Sequence, residues 1–377
     1  MGTPNSSVML AAGGTGGHLF PAQALAEELA RREVAVDLIT DMRGDRYGTG
    51  FPARNVYQVP AATMSGSNPL SAARTIFTLA RGVNAARRIL AEVRPAAVVG
   101  FGGYPSFPPL VAASLMKIPT ALHEQNAVLG RANRMLARRV SAIATSFESV
   151  RLLDGDAKAK AEFTGNPVRD TVVEWSGVPY RPSIPDEPFR ILIFGGSQGA
   201  RFFSEAVPPA LRLLPEPLRR RLSIIQQARP EDEDTLRRGY LREDGAADVA
   251  AEIAPFFKNL PELMAASHLV IGRAGASTVA ELAVVGRPSI LVPLPHALDN
   301  DQLANATRLA ASGGAVCLEQ RDATPERLSS EIAALMDAPD AMARMAEAAR
   351  SQGRPDAVVR LADLVMGLVA RPAVAAA

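Results

Sequence analysis

The sequence predicts an α/β chain folded as two similar domains, each built on a parallel sheet. Three observations carry that expectation. The chain has 377 residues, more than one hydrophobic core ordinarily organises. Short apolar runs alternate with helical patterns along its length, as parallel strands joined by crossover helices require. The segment 8–18, "VMLAAGGTGGH", has a counterpart at 191–200, "ILIFGGSQGA", so an apolar run, a glycine-rich turn and a helical pattern occur twice. The composition is globular, with 47% hydrophobic and 21% charged residues and a formal net charge of +2. That balance excludes the strongly basic face of a general nucleic-acid binder. Cys317 has no second cysteine to pair with, which points to a reducing compartment and excludes a cysteine-cluster zinc site. The histidines His18, His123, His268 and His296 lack the spacing of a dedicated metal site.

Taken in order, 6–12 reads as a buried strand and 21–32 as a helix with Pro21 at an early position. The start of the chain has no basic stretch and enters this strand almost at once, so a signal peptide is not expected. The glycine-rich turn between strand and helix aims backbone N–H groups and a helix N-terminus at one point, which suits an anion, usually phosphate. Strands are expected at 34–40, 96–102, 119–124 and 140–146. The helical pattern 71–93 carries Arg74, Phe77, Arg81 and Arg88 on one face, suited to anionic lipid headgroups, and a stripe of Ile76, Val83 and Leu90 expected in the core. The uncharged stretch 96–116 is broken by glycines and prolines into strand, loop and helix, so it is not a membrane span.

Prolines at 179, 182, 185 and 188 make 178–188 an extended linker and the expected domain boundary. Strands follow at 189–196, 222–228, 268–275 and 289–294. The last pattern, 355–370, sets Val358, Leu361, Val365 and Leu368 at helical spacing. The expected organisation is therefore 1–177, linker 178–188, a second domain 189–353, and a C-terminal helix within 354–377 that packs back on the first domain.

Neither glycine turn has the G-x-G-x-x-G spacing of a dinucleotide fingerprint, although Asp41 arrives where such a site wants an acid. Polar segments gather where strands should end, at 102–109, 123–126, 164–169, 273–282 and 293–306. Each has an ordinary reading. Thr278 and Glu281 have capping-box spacing, Asp299 suits an N-cap, and 231–238 is a solvated helix face. Five such loops on one sheet edge of two domains point instead to a ligand held between them.

In this order "GGTGGHLFPA", "GGY", "HEQN", "TGNPVR", "GGSQGA", "GASTVAEL" and "PHALDNDQLANA" resemble the motifs of MurG-type N-acetylglucosaminyltransferases, glycosyltransferase family 28. The likeness runs from the first strand to the helix after residue 306. Those bacterial enzymes transfer GlcNAc from UDP-GlcNAc to undecaprenyl-diphospho-muramoyl-pentapeptide (lipid I). The resemblance implies a GT-B fold, two Rossmann-like domains with parallel sheets facing an interdomain cleft, and no cofactor. It implies a peripheral protein on the cytoplasmic face of the cell membrane. Its partners would be UDP-GlcNAc, the lipid-linked acceptor, an anionic membrane surface, and proteins of cell-wall synthesis and division, with no nucleic acid.

By the same resemblance Ser197 meets the donor diphosphate, Arg169 approaches the uridine, and Glu281 accepts hydrogen bonds from the ribose hydroxyls. Ala276, Ser277 and Thr278 fall in the motif that carries Glu281. Gln302 touches GlcNAc hydroxyls, Asn126 reaches the donor sugar, and Thr15, Gly16 and Gly17 line the cleft from the acceptor side. Two positions depart from the family. Phe257 stands where a smaller aliphatic residue often offers its backbone to uracil, and Asp301 where many relatives carry histidine or glutamine.

The implied reaction displaces UDP from the anomeric carbon by the muramoyl 4-hydroxyl, with inversion. It needs a base, stabilisation of the departing diphosphate, and alignment. The "GGSQGA" turn and its helix N-terminus are expected to supply the positive potential, with no metal at the catalytic step. His18 leads as base, because neutral imidazole suits proton transfer near neutrality; a histidine that only steadies the turn reads equally well. His123 and Glu124 are the alternatives. Three rival functions remain on the residues: an NAD-dependent dehydrogenase resting on Asp41, a UDP-sugar epimerase, and a nucleotide-sugar sensor.

Overall fold

The computed structural model describes residues 7–13, 16–41, 50–62, 69–242 and 244–370, the side chains of 69–71 and 197–200 excepted. The chain forms two units, one of Met1–Arg169 with Arg354–Ala377, the other of Asp170–Gly353.

Unit 1 runs β1 (Val8–Ala11), α1 (Gly16–Arg31), β2 (Val36–Thr40), β3 (Val56–Gln58), α2 (Pro69–Val93), β4 (Ala97–Gly100), α3 (Gly103–Leu115), β5 (Thr120–Glu124), α4 (Arg131–Leu136), β6 (Ala142–Thr145), α5 (Gly155–Ala159) and β7 (Ala161–Phe163). Its seven strands lie in the order β3-β2-β1-β4-β5-β6-β7, every pairing parallel. Parallel strands covered on both faces read as continuous apolar runs, and β1 is buried throughout. The period of two sorts its side chains. Val8 and Leu10 join a core with Leu25 and Leu29 of α1, while Met9 joins the opposite core with Leu90 of α2 and Leu110 of α3.

Unit 2 runs α6 (Asp170–Val173), β8 (Phe189–Phe194), α7 (Gly196–Arg212), α8 (Glu216–Arg219), β9 (Leu222–Gln227), α9 (Glu233–Gly239), β10 (Ala250–Ala254), α10 (Leu260–Ala266), β11 (Leu269–Gly272), α11 (Ala276–Val285), β12 (Ser289–Leu291), α12 (Asp301–Ala311), β13 (Ala315–Cys317), α13 (Pro325–Met336) and α14 (Pro339–Gln352). Its six strands lie in the order β10-β9-β8-β11-β12-β13, again all parallel. In each sheet the order of winding reverses beside the first strand, between β1 and β4 and between β8 and β11. Open α/β sheets bind ligands beyond the strand ends at such a switch point. Both glycine turns emerge there.

The last helix, α15 (Ala357–Ala370), returns to unit 1. Leu361, Ala362, Val365 and Leu368 complete the core that contains Val8, Leu10 and Val99. Arg32 of α1 reaches Asp363 at 2.6 Å. The chain enters α15 against Gly165, which has φ +87° and whose added Cβ would lie 2.7 Å from the Arg354 Cβ and 3.0 Å from that of Ala357. Only glycine accepts both that backbone and that approach.

Four expectations change. The first helix begins at Gly16, so Pro21 lies inside it rather than near its start. Phe20 folds back over Gly16, whose added Cβ would come within 2.9 Å of the ring, and Pro21 gives up one helical bond in the second turn. Ile76 is 64% exposed, so of the expected stripe of α2 only Val83 and Leu90 reach the core. The first unit ends at Arg169 rather than 177. The proline-rich segment 178–188 lies within unit 2, where Tyr180 packs on the core and donates to the His268 carbonyl, and Ser183 accepts from Arg221. Among the described residues no helix is long and apolar enough to cross a membrane, and 96–116 divides between β4 and α3.

Candidate active site

The half-site of unit 2 is built on two helix N-termini. Gly195 ends β8 and caps α7 without a side-chain cap, and Ser197 is the second residue of that helix. Beside it α11 starts after Gly275, again with no side-chain cap. First-turn N–H groups lack helical acceptors, so each start presents the positive end of a dipole and donors that must find partners outside the helix. Ala276, Ser277 and Thr278 are the half-buried first turn of α11. The helix therefore begins two residues before Thr278, and the capping-box reading of Thr278 and Glu281 fails. Glu281 is instead buried in the next turn.

Two residues of this half were missed. Gln227, at the end of β9, accepts from the Gly196 N–H at 3.2 Å and donates to the Pro255 carbonyl at 3.1 Å. It ties the glycine turn to the loop bearing Phe256, 70% exposed, and Phe257, half-buried. Arg273 is buried after β11. It donates to the Val292 and Pro293 carbonyls and to Gln320 Oε1 at 2.7 Å, and lies 5.1 and 5.2 Å from the rings of Phe202 and Phe203 of α7. Burial pulls its guanidinium down to about 10, so it stays charged at neutral pH. The signal in both cases was a polar residue at a strand end.

The loop before α12 holds His296, Asp299 and Asn300 at positive φ. Asp299 lies in a short 3-10 turn and Asn300 takes the cap position, so Asp299 is not the N-cap of α12. Gln302 Oε1 accepts from the Leu294 N–H, and Asp301 Oδ1 accepts from the Gln302 N–H. Burial, aided by the neighbouring Asp299 charge, raises the Asp301 carboxyl. Among the described residues no three histidines, cysteines or carboxylates come together as a metal-binding group.

The half-site of unit 1 surrounds the first glycine turn. Thr15 lies outside the described residues; Gly16 and Gly17 open α1, and His18 follows. The His18 ring rests on Gly102 and Gly103, with Nε2 3.2 Å from where a Gly103 Cβ would stand. Desolvation lowers its pKa, against the Phe101 carbonyl and the Gln125 side chain, so it is neutral near pH 7. The Arg169 guanidinium lies 4.9 Å over the Phe20 ring, which covers Gly16. Asp41 is buried and accepts from the Tyr104 hydroxyl at 2.7 Å. That bond removes it from the exposed position a ribose-binding acid would need.

His123 and Glu124 are internal supports. His123 is fully buried, with Nε2 3.1 Å from the Gly165 carbonyl and Nδ1 3.1 Å from Gln125 Nε2; burial takes its pKa down to about 4. Glu124 accepts from the Asn126 and Gly130 N–H groups at 2.9 and 2.8 Å, from Asn133 Nδ2 at 2.8 Å, and from Asn126 Nδ2. Burial raises its carboxyl while these bonds pull it back. Neither group has a free site for a substrate proton. Elsewhere on unit 1, α2 shows Arg74, Ile76, Phe77, Arg81 and Arg88 to solvent, with Arg81 5.9 Å over the Phe77 ring.

The models of the glycosyltransferase family 28 N-terminal and C-terminal domains match residues 8–145 and 190–361. A UDP-N-acetylglucosamine--N-acetylmuramyl-(pentapeptide) pyrophosphoryl-undecaprenol N-acetylglucosamine transferase of Rhizobium rhizogenes is 51% identical, over 97% of this chain and 96% of that one. The transferase of the same description from Methylobacterium sp. strain 4-46 is 54% identical over 95% and 96%. The crystal structure of Acinetobacter baumannii MurG superposes with a TM-score of 0.79 at 30% identity, covering 96% of this chain and 99% of that one.

Proposed function

Because the chain belongs to glycosyltransferase family 28, we propose that it works as the relatives' names describe. It is an N-acetylglucosaminyltransferase of the GT-B fold, with two Rossmann-like parallel-sheet domains. It transfers GlcNAc from UDP-GlcNAc to the 4-hydroxyl of undecaprenyl-diphospho-muramoyl-pentapeptide, giving the lipid-linked disaccharide of peptidoglycan synthesis (lipid II), with inversion. The observation that carries this most is near-full-length identity of about half to transferases of that name.

The donor belongs on unit 2. Its diphosphate takes the α7 N-terminus at Ser197, with the α11 start nearby and the buried Arg273 charge adding to the potential. Glu281 serves the ribose, the backbone near Phe257 the uracil, and Gln302 the sugar. Unit 1 carries Thr15, Gly16, Gly17 and His18 for the acceptor, with Asn126 assigned to the donor sugar and Arg169 to the uridine. The acceptor oxygen attacks the anomeric carbon as the bond to the diphosphate oxygen breaks. His18 takes the hydroxyl proton and UDP leaves with the negative charge. The same helix ends and arginine offset that charge, so no metal is needed at this step.

The enzyme meets the cytoplasmic face of the membrane through α2. Its exposed Ile76 and Phe77, flanked by Arg74, Arg81 and Arg88, suit an anionic headgroup layer. Contacts with the cell-wall synthesis and division machinery belong to the same reading.

The test supplies UDP-GlcNAc with and without a lipid-linked muramoyl acceptor. UDP is expected only with acceptor present and in excess chelator as without it. Interconversion of the sugar alone would select an epimerase. Turnover lost to chelator and restored by magnesium would refute the metal-free step.

A further inference from the structure

We infer that Gln125 is a positioning residue that holds His18 in its Nδ1–H tautomer, leaving Nε2 as the nitrogen that takes the acceptor's proton. The inference rests on the reading of His18 as the base. Its ground is a pair of complementary atoms. His18 Nδ1 and Gln125 Oε1 are both buried, and neither has a hydrogen-bond partner among the described residues. An imidazole nitrogen can carry a proton, whereas an amide oxygen only accepts.

The orientation of the Gln125 amide is set from its other end. Its Nε2 lies 2.9 Å from the Phe101 carbonyl, 3.2 Å from the His123 carbonyl and 3.1 Å from His123 Nδ1. The two carbonyls accept only, so a flipped amide would set oxygen against oxygen twice. His123 agrees from further along the chain of bonds. Its Nε2 faces the Gly165 carbonyl at 3.1 Å and must donate, which leaves Nδ1 as the acceptor that an amide N–H requires. Oε1 of Gln125 is thereby the one amide atom left to serve His18.

The His18 ring lies on Gly102 and Gly103, immediately after Phe101. The Phe101 carbonyl and the Gln125 side chain both favour a proton on this ring. With the Gln125 oxygen as its complement, Nδ1 keeps its proton, so a neutral ring carries the lone pair on Nε2. That nitrogen faces Gly103, which has φ +68° and would place a Cβ 3.2 Å away. Glycine at 103 therefore leaves the basic nitrogen uncovered as well as allowing the turn.

The chain has four histidines, so protein labelled with 15N at histidine alone gives a readable imidazole spectrum. Signals absent in His18→Gln assign His18. Near neutral pH the wild type should show His18 protonated at Nδ1. Gln125→Met, similar in length but without hydrogen bonds, should move His18 toward Nε2–H. It should also lower kcat roughly tenfold or more while KM for UDP-GlcNAc stays within about twofold. Gln125→Glu, with its carboxyl proton on the oxygen that faces the Phe101 carbonyl, keeps the other oxygen as acceptor and should restore the Nδ1–H spectrum and most of kcat. An Nε2–H tautomer in the wild type would overturn the inference, and so would an unchanged His18 spectrum in Gln125→Met. If that variant does not fold, the wild-type spectrum decides alone. Full turnover in His18→Gln, with the wild-type tautomer as expected, would remove His18 as base and leave its pairing with Gln125 standing.

Discussion

Glu281, one turn into a helix, and His123, near the end of a strand, are both buried polar residues, yet their surroundings give them different work. The Glu281 carboxylate lies one turn into α11, beside the donor's proposed position. Glu281→Ala should weaken UDP binding by about 1.5–3 kcal/mol, the worth of hydrogen bonds to a charged group, as read by calorimetry. A lower melting temperature with unchanged UDP affinity would make it a packing residue. His123 is wholly enclosed, and its pKa falls from 6.5 to about 4. The unfolded chain binds this proton near pH 6.5, the folded one only near pH 4. The stabilisation is thus complete above 6.5 and is lost as pH falls through 4. Glu124, with a raised carboxyl, acts in the opposite sense, so the comparison must be made between variants. Between about pH 7 and 4.5 the wild type should lose roughly 2 kcal/mol more than His123→Asn in urea unfolding. Equal losses would mean that His123 titrates freely in the folded protein.

The elements show where sequence reading worked and where it stopped. All nine anticipated strands are present; the four missed, β3, β7, β10 and β13, are the two edges of each sheet. Interior strands are covered on both faces and read as apolar runs. The edges are three to five residues long and half open to solvent, so their apolar signal is broken. The site divides in the same way. Glycine turns and strand-end loops were visible because they are local in sequence. Arg273, Gln227 and the function of Gln125 were not, since each depends on partners tens of residues away. Arg74, Arg81 and Arg88 of α2 are exposed as a basic face requires, but Ile76 is exposed too, because periodicity cannot tell where a stripe runs past the end of its core. That exposed end yields a prediction. Changing Arg74, Arg81 and Arg88 together to glutamine should sharply reduce binding to anionic vesicles, at about 1 kcal/mol per charge, and added salt should mimic the change. Activity on a short-chain soluble acceptor should persist. Unchanged vesicle binding would place the membrane contact elsewhere.

At the scale of the molecule, two units with separate cores make the proposed division of the substrates testable. UDP at about 100 times its Kd adds roughly 2.7 kcal/mol to whatever binds it. In calorimetric unfolding UDP should therefore raise the transition of unit 2 and leave that of unit 1 nearly where it was; an equal rise in both would contradict the assignment of the donor to unit 2. Unit 1 also has an order of assembly imposed on it by α15. A ribosome delivers the whole of unit 2 before the helix that covers Val8, Leu10 and Val99. At about 5–20 residues per second, unit 1 waits for seconds with that core bounded by α1 and still lacking α15. The usual sequence, N-terminal domain finished first, is reversed, and unit 1 is the part that a chaperone would meet. A chain cut short after Gly353 would leave unit 2 whole and unit 1 without a wall of its core. Such a fragment would still take up UDP-GlcNAc and transfer nothing.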